Sequence, residues 1–444
     1  MARRFLVTVL LALVTAAATA SANAGILADP FLPQEWWLAH IGADPAQAPG
    51  PGVPIVIVDS GTDPTHPEFA GRPNTRFLNE QTTSGREEFH GTEVASVAAA
   101  PDNGVGLVGV YPNAALEIFD ASPSSQGITD PTAVTGVLAA AQLCPAVINL
   151  SFGGTQQDPE LQDAVLTALR NGCLVVAASG NGGETGNPTT YPASWPHVLA
   201  VGATDENDVV ASFSTTGAAV DVVAPGVGII GAVPLTRNST GYQSPIAGTS
   251  FSAPIVAAAA AWVWTVRPTL TAGQVAQVLK GSARDLGPPG FDTTNGWGLI
   301  NIPAALAAPT PAVDPAEPND DIKQVAPGRL FASGQATLTA PAKPSTRVAG
   351  TLDASDDPRD VYRIWIPAKK VVRVAVTDSN GAAAARIWGP QAVAVNEGLK
   401  LRRRDLRGPT MVGGKKGANA YVEVLLTGRR TLTGYTLAVT ASSR

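Results

Sequence analysis

The sequence is poor in the residues that build metal clusters and disulfide frameworks. It contains only two cysteines and four histidines in 444 residues. Because these few ligands are scattered along the chain, a structural zinc cluster is not expected. Charged residues are also sparse, at 15%, whereas hydrophobic residues make up 45%, which is a globular and not a disordered composition. The length favours two domains over one.

Long apolar runs are scarce as well, and the clearest one opens the chain. Arg3 and Arg4 precede an apolar stretch over residues 5–18, and Ala22-Asn23-Ala24 then fits an A-x-A cleavage site. The alternative interpretation is a membrane anchor, for which the run is short. We therefore expect a signal peptide over residues 1–24, a secreted protein, and no membrane-spanning segment later in the chain.

The overall charge of −6 hides an asymmetry that supports two domains. Residues 25–315 hold 8 Lys and Arg against 25 Asp and Glu, a net charge of −17. Residues 316–444 hold 20 against 11, a net charge of +9. Four prolines in the segment 307–318 indicate an extended linker. The expected organisation is a first domain over 25–306, the linker over 307–318, and a second domain over 319–444.

The first domain alternates strands and helices. Runs of apolar residues at 55–58, 147–150 and 174–177 predict buried strands, and Asp130-Pro131 and Asp158-Pro159 predict helix starts between them. Such strand–helix–strand units predict an α/β fold, in which a parallel twisted sheet carries helices on both faces. Functional sites in this class lie at the carboxyl ends of the strands.

The second domain has a different periodicity. Apolar residues alternate with others over 361–366, 372–376 and 435–439, without helical patterns between them. Short alternating strands predict a small all-β sandwich.

Three segments of the first domain place reactive residue types at the ends of predicted elements. Asp59 follows a strand, His90 opens a helix, and Ser250 lies between a glycine turn and a helix. Each residue alone is usually a turn, cap or loop residue. Together they are the groups of acyl transfer, because serine is a poor nucleophile until a base takes its proton and a carboxylate holds that base in the right tautomer.

The motifs around these residues resemble the subtilisin-like serine protease family, peptidase S8. They are Asp59-Ser60-Gly61, His90-Gly91-Thr92 and Gly248-Thr249-Ser250-Phe251-Ser252-Ala253-Pro254. Their order along the chain, aspartate then histidine then serine, is that of this family. The resemblance covers about residues 29–306 and implies a subtilisin-like fold and a serine endopeptidase acting on polypeptide substrates, with Asp59, His90 and Ser250 catalytic.

The same resemblance assigns further roles. Asn181 would supply the oxyanion-hole side chain, with the backbone N–H of Ser250 as its partner. Thr190 would lie near the floor of the first specificity pocket. Three residues after a predicted strand would pair with substrate as an added strand: Ser151, Phe152 and Gly153.

Asp29, Glu68 and Asn103 occupy positions that resemble a family calcium site, with loop carbonyls from residues 101–107 completing the shell. The alternative is an ordinary Asn-Gly turn. Calcium would be structural, and no cofactor is expected for catalysis.

The chain departs from the family pattern in two places. Glu93 stands where a second histidine is common. Residues 29–31, Asp-Pro-Phe, already resemble the start of a mature catalytic domain, so we expect the usual pro-domain to be absent.

The C-terminal stretch resembles the bacterial pre-peptidase C-terminal domain, on the segments Glu317-Pro318-Asn319-Asp320 and Asp360-Val361-Tyr362. Its positive charge is densest at Arg402-Arg403-Arg404. That charge fits a solvated surface, contact with the acidic first domain, or contact with an anionic cell surface. Nucleic-acid binding is not expected, because the protein is exported and no binding motif is recognised.

Two questions stay open at this point. Cys144 and Cys173 each precede a predicted strand, and they form a disulfide if those strands are neighbours, or else remain free thiols. The chain could also be a binding protein on an inactive protease scaffold, but Asp59, His90, Asn181 and Ser250 are all present. An esterase would need a G-x-S-x-G elbow and the serine first.

Overall fold

The computed structural model describes residues 28–81, 89–122, 127–354, 356–378, 381–395, 408–427 and 432–443. Seven strands form the central sheet of the first domain: β1 Ile55–Asp59, β2 Thr75–Phe77, β3 Leu116–Asp120, β4 Val147–Leu150, β5 Leu174–Ala178, β6 Val198–Thr204 and β7 Val222–Pro225. All neighbouring pairs are parallel, in the order β2-β3-β1-β4-β5-β6-β7. The predicted parallel α/β sheet is confirmed.

Helices cover both faces of this sheet, as predicted. The helices are α1 Trp36–His40, α2 His90–Ala99, α3 Asp130–Ala140, α4 Pro159–Arg170, α5 Thr249–Val266, α6 Ala272–Gly281, α7 Ile302–Ala307 and α8 Ile322–Val325. Helices α2 and α5 pack in the larger apolar core on one face, and α3 and α4 pack on the other. A hairpin of β8 Val227–Ala232 and β9 Tyr242–Ala247 lies beside α2 and leads into α5.

Helix α5 runs through the interior of the first domain. Of the helices in the described ranges, it alone is long and apolar enough to cross a membrane, yet 83% of it is buried inside the fold. The expectation that no later segment is apolar enough to span a membrane was therefore too strict. The composition of α5 is explained by its place in the core.

One predicted helix start is off by a residue. Thr129, not Asp130, caps α3, because Thr129 and Thr132 form a capping box in which Thr132 Oγ1 accepts from the Thr129 N–H at 3.0 Å. Asp158 caps α4 as predicted and accepts from two backbone N–H groups of its first turn.

The second domain contains the predicted β-sandwich. Its strands are β10 Thr346–Asp353, β11 Arg359–Ile366, β12 Val371–Asp378, β13 Ala383–Trp388, β14 Thr410–Val412, β15 Ala418–Leu426 and β16 Leu432–Ser442. They form antiparallel sheets in the orders β10-β16-β12-β14 and β11-β15-β13. Tyr362, Ile364 and Ile366 face the shared core. The basic run Arg402-Arg403-Arg404 lies outside the described residues.

The sandwich contacts the first domain at the amino-terminal end of the parallel sheet. His197, just before β6, donates its backbone N–H to Asp356 Oδ1 at 2.6 Å, and its Nε2 lies 3.2 Å from Glu317 Oε2. Lys280 of α6 pairs with Asp356 at 2.8 Å. In these contacts the acids belong to the linker and the second domain, and the basic groups belong to the first domain. The two domains therefore meet. The net charges suggest acids of the first domain facing basic groups of the second, but in these contacts the arrangement is the reverse.

Cys144 and Cys173 form a disulfide, with their Cα atoms 4.9 Å apart. They precede β4 and β5, which are neighbouring parallel strands. The pairing is therefore confirmed for the reason that the sequence suggests: adjacent strand starts bring the two side chains within bonding reach.

Candidate active site

A close backbone contact brings Asp59 and His90 together. A Cβ on Gly91 would come within 2.2 Å of the Gly61 carbonyl oxygen, so only glycine allows α2 to begin this near the end of β1. His90 Nδ1 donates to Asp59 Oδ1 at 2.8 Å, and the Ser60 N–H donates to the same oxygen at 2.7 Å. The Asp59 side chain is 1% exposed and that of His90 is 34% exposed. A desolvated carboxylate thus orients an accessible imidazole.

Ser250 is held at the start of α5 by a partner outside the helix. Pro254, four residues on, has no N–H, so the Ser250 carbonyl lacks its usual helical donor. Ser151 Oγ donates to that carbonyl at 2.8 Å, and Ser250 Oγ donates to the Ser151 carbonyl at 3.1 Å. Pro254 is the sixth residue of α5.

The three residue types meet where the strand order reverses. Asp59 ends β1, and Ser151 follows the neighbouring strand β4. After β1 the chain forms β2 and β3 on one side of it, whereas after β4 it forms β5, β6 and β7 on the other side, so the strand order changes direction between β1 and β4. A crevice at such a switch point is the usual binding place in open parallel sheets. Phe251, next to Ser250, packs on His90 with ring centroids 5.8 Å apart. The structure therefore brings Asp59, His90 and the Ser250 segment to one place.

Asn181 lies beside this crevice, after β5. Its Oδ1 accepts from the Thr249 N–H at 3.0 Å and from Thr249 Oγ1 at 2.9 Å. With the carbonyl oxygen occupied in this way, the Nδ2 amino group is left to donate elsewhere. Asn181 is exposed, and its Nδ2 lies near Gly248, since a Cβ on Gly248 would lie 3.6 Å from it.

Residues 50–298 match the sequence profile of the subtilase family. The chain belongs to the subtilase family. It is 39% identical over 270 residues to Subtilisin DY of Bacillus licheniformis, an alignment that covers 60% of this chain and 96% of that protein. It is 37% identical over 275 residues to Subtilisin Savinase of Lederbergia lenta, covering 61% of this chain and 97% of that protein.

A solved structure shares the fold. The psychrophilic subtilisin-like protease Apa1 from the Antarctic psychrotroph Pseudoalteromonas sp. AS-11 superposes with a TM-score of 0.52 at 22% identity, covering 61% of this chain and 97% of that chain. The family match and the related subtilisins show that this subtilase is a serine endopeptidase.

The segment predicted to pair with substrate continues from β4 along the crevice. Gly154 and Tyr191 exchange backbone hydrogen bonds at 2.9 and 2.8 Å. This bridge places Gly153 against Thr190, since a Cβ on Gly153 would lie 3.0 Å from Thr190 Cγ2. Gly153 and Thr190 therefore lie side by side. The Ser151 side chain is turned inward to Ser250 and is 3% exposed.

Glu93 lies one turn along α2 from His90 and is 5% exposed. Burial raises the pKa of Glu93 to about 7; His90 and Arg237 oppose this rise, and Asp59 adds to it. The carboxyl that stands in place of the common histidine therefore titrates near neutrality, close to the imidazole.

The predicted calcium residues are also neighbours. Asn103 donates its backbone N–H to Asp29 Oδ2 at 3.3 Å, and the Leu107 N–H donates to Glu68 Oε1 at 3.1 Å. Within the described residues, Asp29 Oδ1 and Glu68 Oε2 are buried without a hydrogen-bond partner. Asn103 Oδ1 instead accepts from the Val105 N–H at 2.8 Å, which is the Asn-Gly turn that the alternative interpretation describes.

A third carboxylate joins these residues, and no sequence motif indicated it. Glu35 is 3% exposed and accepts from the Val108 N–H at 2.9 Å, while its Oε2 has no partner in the described part of the chain. Burial raises the pKa of Glu35 to about 8, and the charges of Asp29 and Glu68 raise it further. The same cause raises the pKa of Glu68 to about 7.

Proposed function

We propose that this subtilase is a secreted endopeptidase whose catalytic residues are Asp59, His90 and Ser250. The observation that carries the proposal is the 2.8 Å hydrogen bond between desolvated Asp59 and accessible His90, at the place where α5 presents Ser250. Such a pair makes a neighbouring serine hydroxyl nucleophilic at neutral pH.

In the proposed reaction, the hydroxyl hydrogen of Ser250 turns from the Ser151 carbonyl to Nε2 of His90 when a peptide binds. His90 takes this proton as Ser250 Oγ attacks the scissile carbonyl carbon, and Asp59 stabilises the resulting imidazolium. The tetrahedral intermediate then breaks its C–N bond, and His90 protonates the leaving amine. Water, activated by the same imidazole, hydrolyses the acyl group from Ser250 and completes the cycle.

The proposed oxyanion hole uses the Asn181 side chain and the Ser250 backbone N–H. Thr249 holds the Asn181 carbonyl oxygen through two hydrogen bonds, so Nδ2 is oriented before substrate arrives. A preoriented donor stabilises the negative charge that appears only in the transition state.

We expect Asn181→Ala to lower kcat about 100- to 1,000-fold with KM nearly unchanged, because the lost hydrogen bond forms only in the transition state. Steady-state kinetics on a chromogenic peptide measure both constants. Asn181→Asp is the size-matched control and should lose at least as much, since it replaces the donor with a negative charge. A rise in KM at constant kcat would assign Asn181 to ground-state binding instead.

We also propose that Ser151, Phe152 and Gly153 bind the substrate backbone and that Thr190 contacts the residue before the cleaved bond. The backbone hydrogen bonds between Gly154 and Tyr191, which place Gly153 against Thr190, support this assignment.

We further propose the organisation expected from the sequence: an exported precursor with a signal peptide over 1–24, a catalytic domain over 25–306, a linker over 307–318 and an accessory domain over 319–444. Separate apolar cores in the α/β part and in the sandwich support the two-domain division. Contact of the basic accessory domain with an anionic cell surface stays a prediction.

A structural calcium ion at Asp29 and Glu68 is part of the same proposal. The orphaned buried oxygens of these residues and of Glu35 are the hard ligands that calcium prefers. In the structure, Asn103 Oδ1 orders its loop by accepting from the Val105 N–H. To join the calcium ligands, this oxygen would give up that hydrogen bond.

Chelation should lower the unfolding temperature of the full-length protein, and Glu68→Gln should remove the part of that response that comes from this site. At a calcium concentration of about 100 times the Kd, binding contributes about 2.7 kcal/mol, or about 5–10 °C in Tm. Calorimetry of a Ser250→Ala parent, which cannot digest itself, measures the shift. Exposed Glu80 supplies the control, since Glu80→Gln should keep the full calcium response. An unchanged response in Glu68→Gln would count against this site.

A further inference from the structure

Arg237 differs from the other basic residues of the catalytic domain. Within the described ranges, each of the others donates to an acid or to a backbone carbonyl: Arg72, Arg76, Arg170, Arg267, Lys280 and Arg284. The Arg237 guanidinium makes no hydrogen bond or ion pair with any described residue. It lies instead over the Phe89 ring, with Cζ 5.2 Å from the ring centroid. Arg237 is exposed, so its donors are available to a ligand.

The contact with Phe89 places this cation beside the catalytic histidine. Phe89 directly precedes His90 and is half-buried. Consecutive Cα atoms are about 3.8 Å apart, so a group stacked on Phe89 lies within about one side-chain length of the imidazole. Burial raises the pKa of Glu93 to about 7, and Arg237 is among the charges that oppose this rise. The guanidinium therefore lies near the first turn of α2 as well as near Phe89.

The turn that carries Arg237 is held in place from within and from outside. It joins β8 to β9 over residues 233–241, and the Arg237 N–H donates to the Pro234 carbonyl at 2.8 Å. His66 Nε2 donates to the Gly241 carbonyl at 2.8 Å, which ties the turn to the loop after β1. A fixed backbone and an aromatic support limit the positions of the guanidinium, so less entropy is lost when it binds a partner.

This turn belongs to a different wall of the crevice from the segments assigned to the substrate residues before the cleaved bond. Residues 151–153 and Thr190 follow β4 and β5, and none of the hydrogen bonds among the described residues joins them to residues 233–241. The hairpin instead packs against α2. A peptide that leaves Thr190 and passes His90 therefore continues toward the hairpin. Extended chain advances about 3.3 Å per residue, so its first three residues after the bond span about 10 Å.

The charge of the surroundings limits what this cation can select. Residues 25–315 carry a net charge of −17, which opposes the approach of a strongly acidic polypeptide. Asp59 and Glu93 are buried, and neither forms an ion pair with Arg237 in the described structure. A single carboxylate that reaches the guanidinium gains a bidentate partner, whereas further acids nearby would gain none.

We propose that Arg237 binds one glutamate or aspartate side chain of the substrate, within the first three residues after the cleaved bond. This inference rests on the proposed catalytic residues, because it places the cleaved bond between Ser250 and His90. The guanidinium keeps Phe89 on one face and bonds the carboxylate along its edge. Phe89 excludes water from that face, so the ion pair is stronger than a fully exposed one. The preferred substrate is a polypeptide with an isolated acidic residue in an otherwise uncharged or basic stretch.

The test compares pairs of internally quenched peptides that span the cleaved bond and differ at one residue. One member has glutamate and the other glutamine at the first, second or third position after the bond. Mass spectrometry of the products shows that both members are cleaved at the same bond. For the full-length parent, kcat/KM should be about 5- to 20-fold higher for the glutamate member at one of these positions. Arg237→Gln should bring that ratio to about 1.

Salt gives a second measurement on the same peptides. The Debye length shortens from about 14 Å to about 4 Å between about 0.05 and 0.5 M ionic strength. The preference of the parent for glutamate should therefore fall as salt rises. In the Arg237→Gln variant no attraction is left to screen, so salt should not lower the ratio further.

Arg267→Gln is the charge-matched control. Arg267 directly follows α5, whose 18 residues separate it from Ser250 by about 25 Å. Its removal changes the net charge of the domain by the same amount, so a long-range effect of charge would appear in both variants. The ratio in Arg267→Gln should equal that of the parent. Arg237→Lys keeps the charge without the planar fork and should retain a smaller preference.

Either of two outcomes refutes the role of Arg237. One is a parent that cleaves the glutamate and glutamine members equally well at all three positions. The other is an Arg237→Gln variant in which kcat/KM falls by the same factor for both members, which would mean that Arg237 only supports the start of α2 through Phe89. The catalytic assignment is tested apart from this, because Ser250→Ala should abolish cleavage of both members.

Discussion

Replacing Ser250 with alanine is expected to lower kcat/KM for a chromogenic peptide about 10⁶-fold, a magnitude taken from subtilisin itself. The hydroxyl is the atom that forms the acyl-enzyme, and Ser151 and Asn181 cannot substitute for it. The same change should abolish labelling by a serine-directed phosphonylating inhibitor, measured by mass spectrometry of the intact protein.

Ser252 provides a close control for this variant. It lies two residues along α5, is fully buried, and donates to the Ala224 and Pro225 carbonyls at 3.0 and 3.1 Å. Ser252→Ala should reduce stability by about 1–3 kcal/mol while keeping most of the activity and all of the labelling. The catalytic assignment fails if the Ser250 variant keeps most of its activity.

Replacing Asp59 with asparagine should lower kcat about 10⁴-fold, the loss known for this change in a serine protease triad. Asparagine carries no charge to stabilise the imidazolium, and its amino group can hold His90 in the wrong tautomer. KM should change little, because Asp59 is 1% exposed and does not reach the substrate. Steady-state kinetics on the same peptide give both constants.

Asp120 offers a matched comparison for Asp59. The two acids are register partners on β1 and β3 and are equally buried, but Asp120 Oδ1 accepts from the Ser122 N–H at 2.8 Å. Asp120→Asn should keep activity within about tenfold of the parent. Equal losses in the two variants would indicate a general effect of buried charge and not a triad.

Part of the fold could be predicted because β1, β4 and β5 are short, mainly apolar runs that end at or just before a polar residue. Asp59 was predictable for that reason, and Ser250 because its motif is long. The disulfide followed from two cysteines at the starts of consecutive strands. Apolar residues that alternate with other residues identified the strands of the sandwich. The order of those strands in the two sheets could not be predicted from the sequence.

The residues that were missed depend on contacts between distant segments. The role of the Ser151 hydroxyl arises because Pro254, about a hundred residues away, leaves a carbonyl without its donor. Thr129 caps α3 in place of Asp130 because Thr132, three residues after Thr129, completes a capping box with it.

The position of the sandwich has a consequence for how the enzyme meets large substrates. It contacts the sheet at the end where β6 begins, whereas Asp59, Ser151 and Asn181 lie where strands end. The crevice and the contact at His197 therefore lie at opposite ends of the parallel sheet. A molecule attached to a surface through the far side of its sandwich would leave its cleft open to the surroundings. Attachment and cleavage could then proceed together, and the enzyme would process polypeptides that diffuse past it and not the material that holds it.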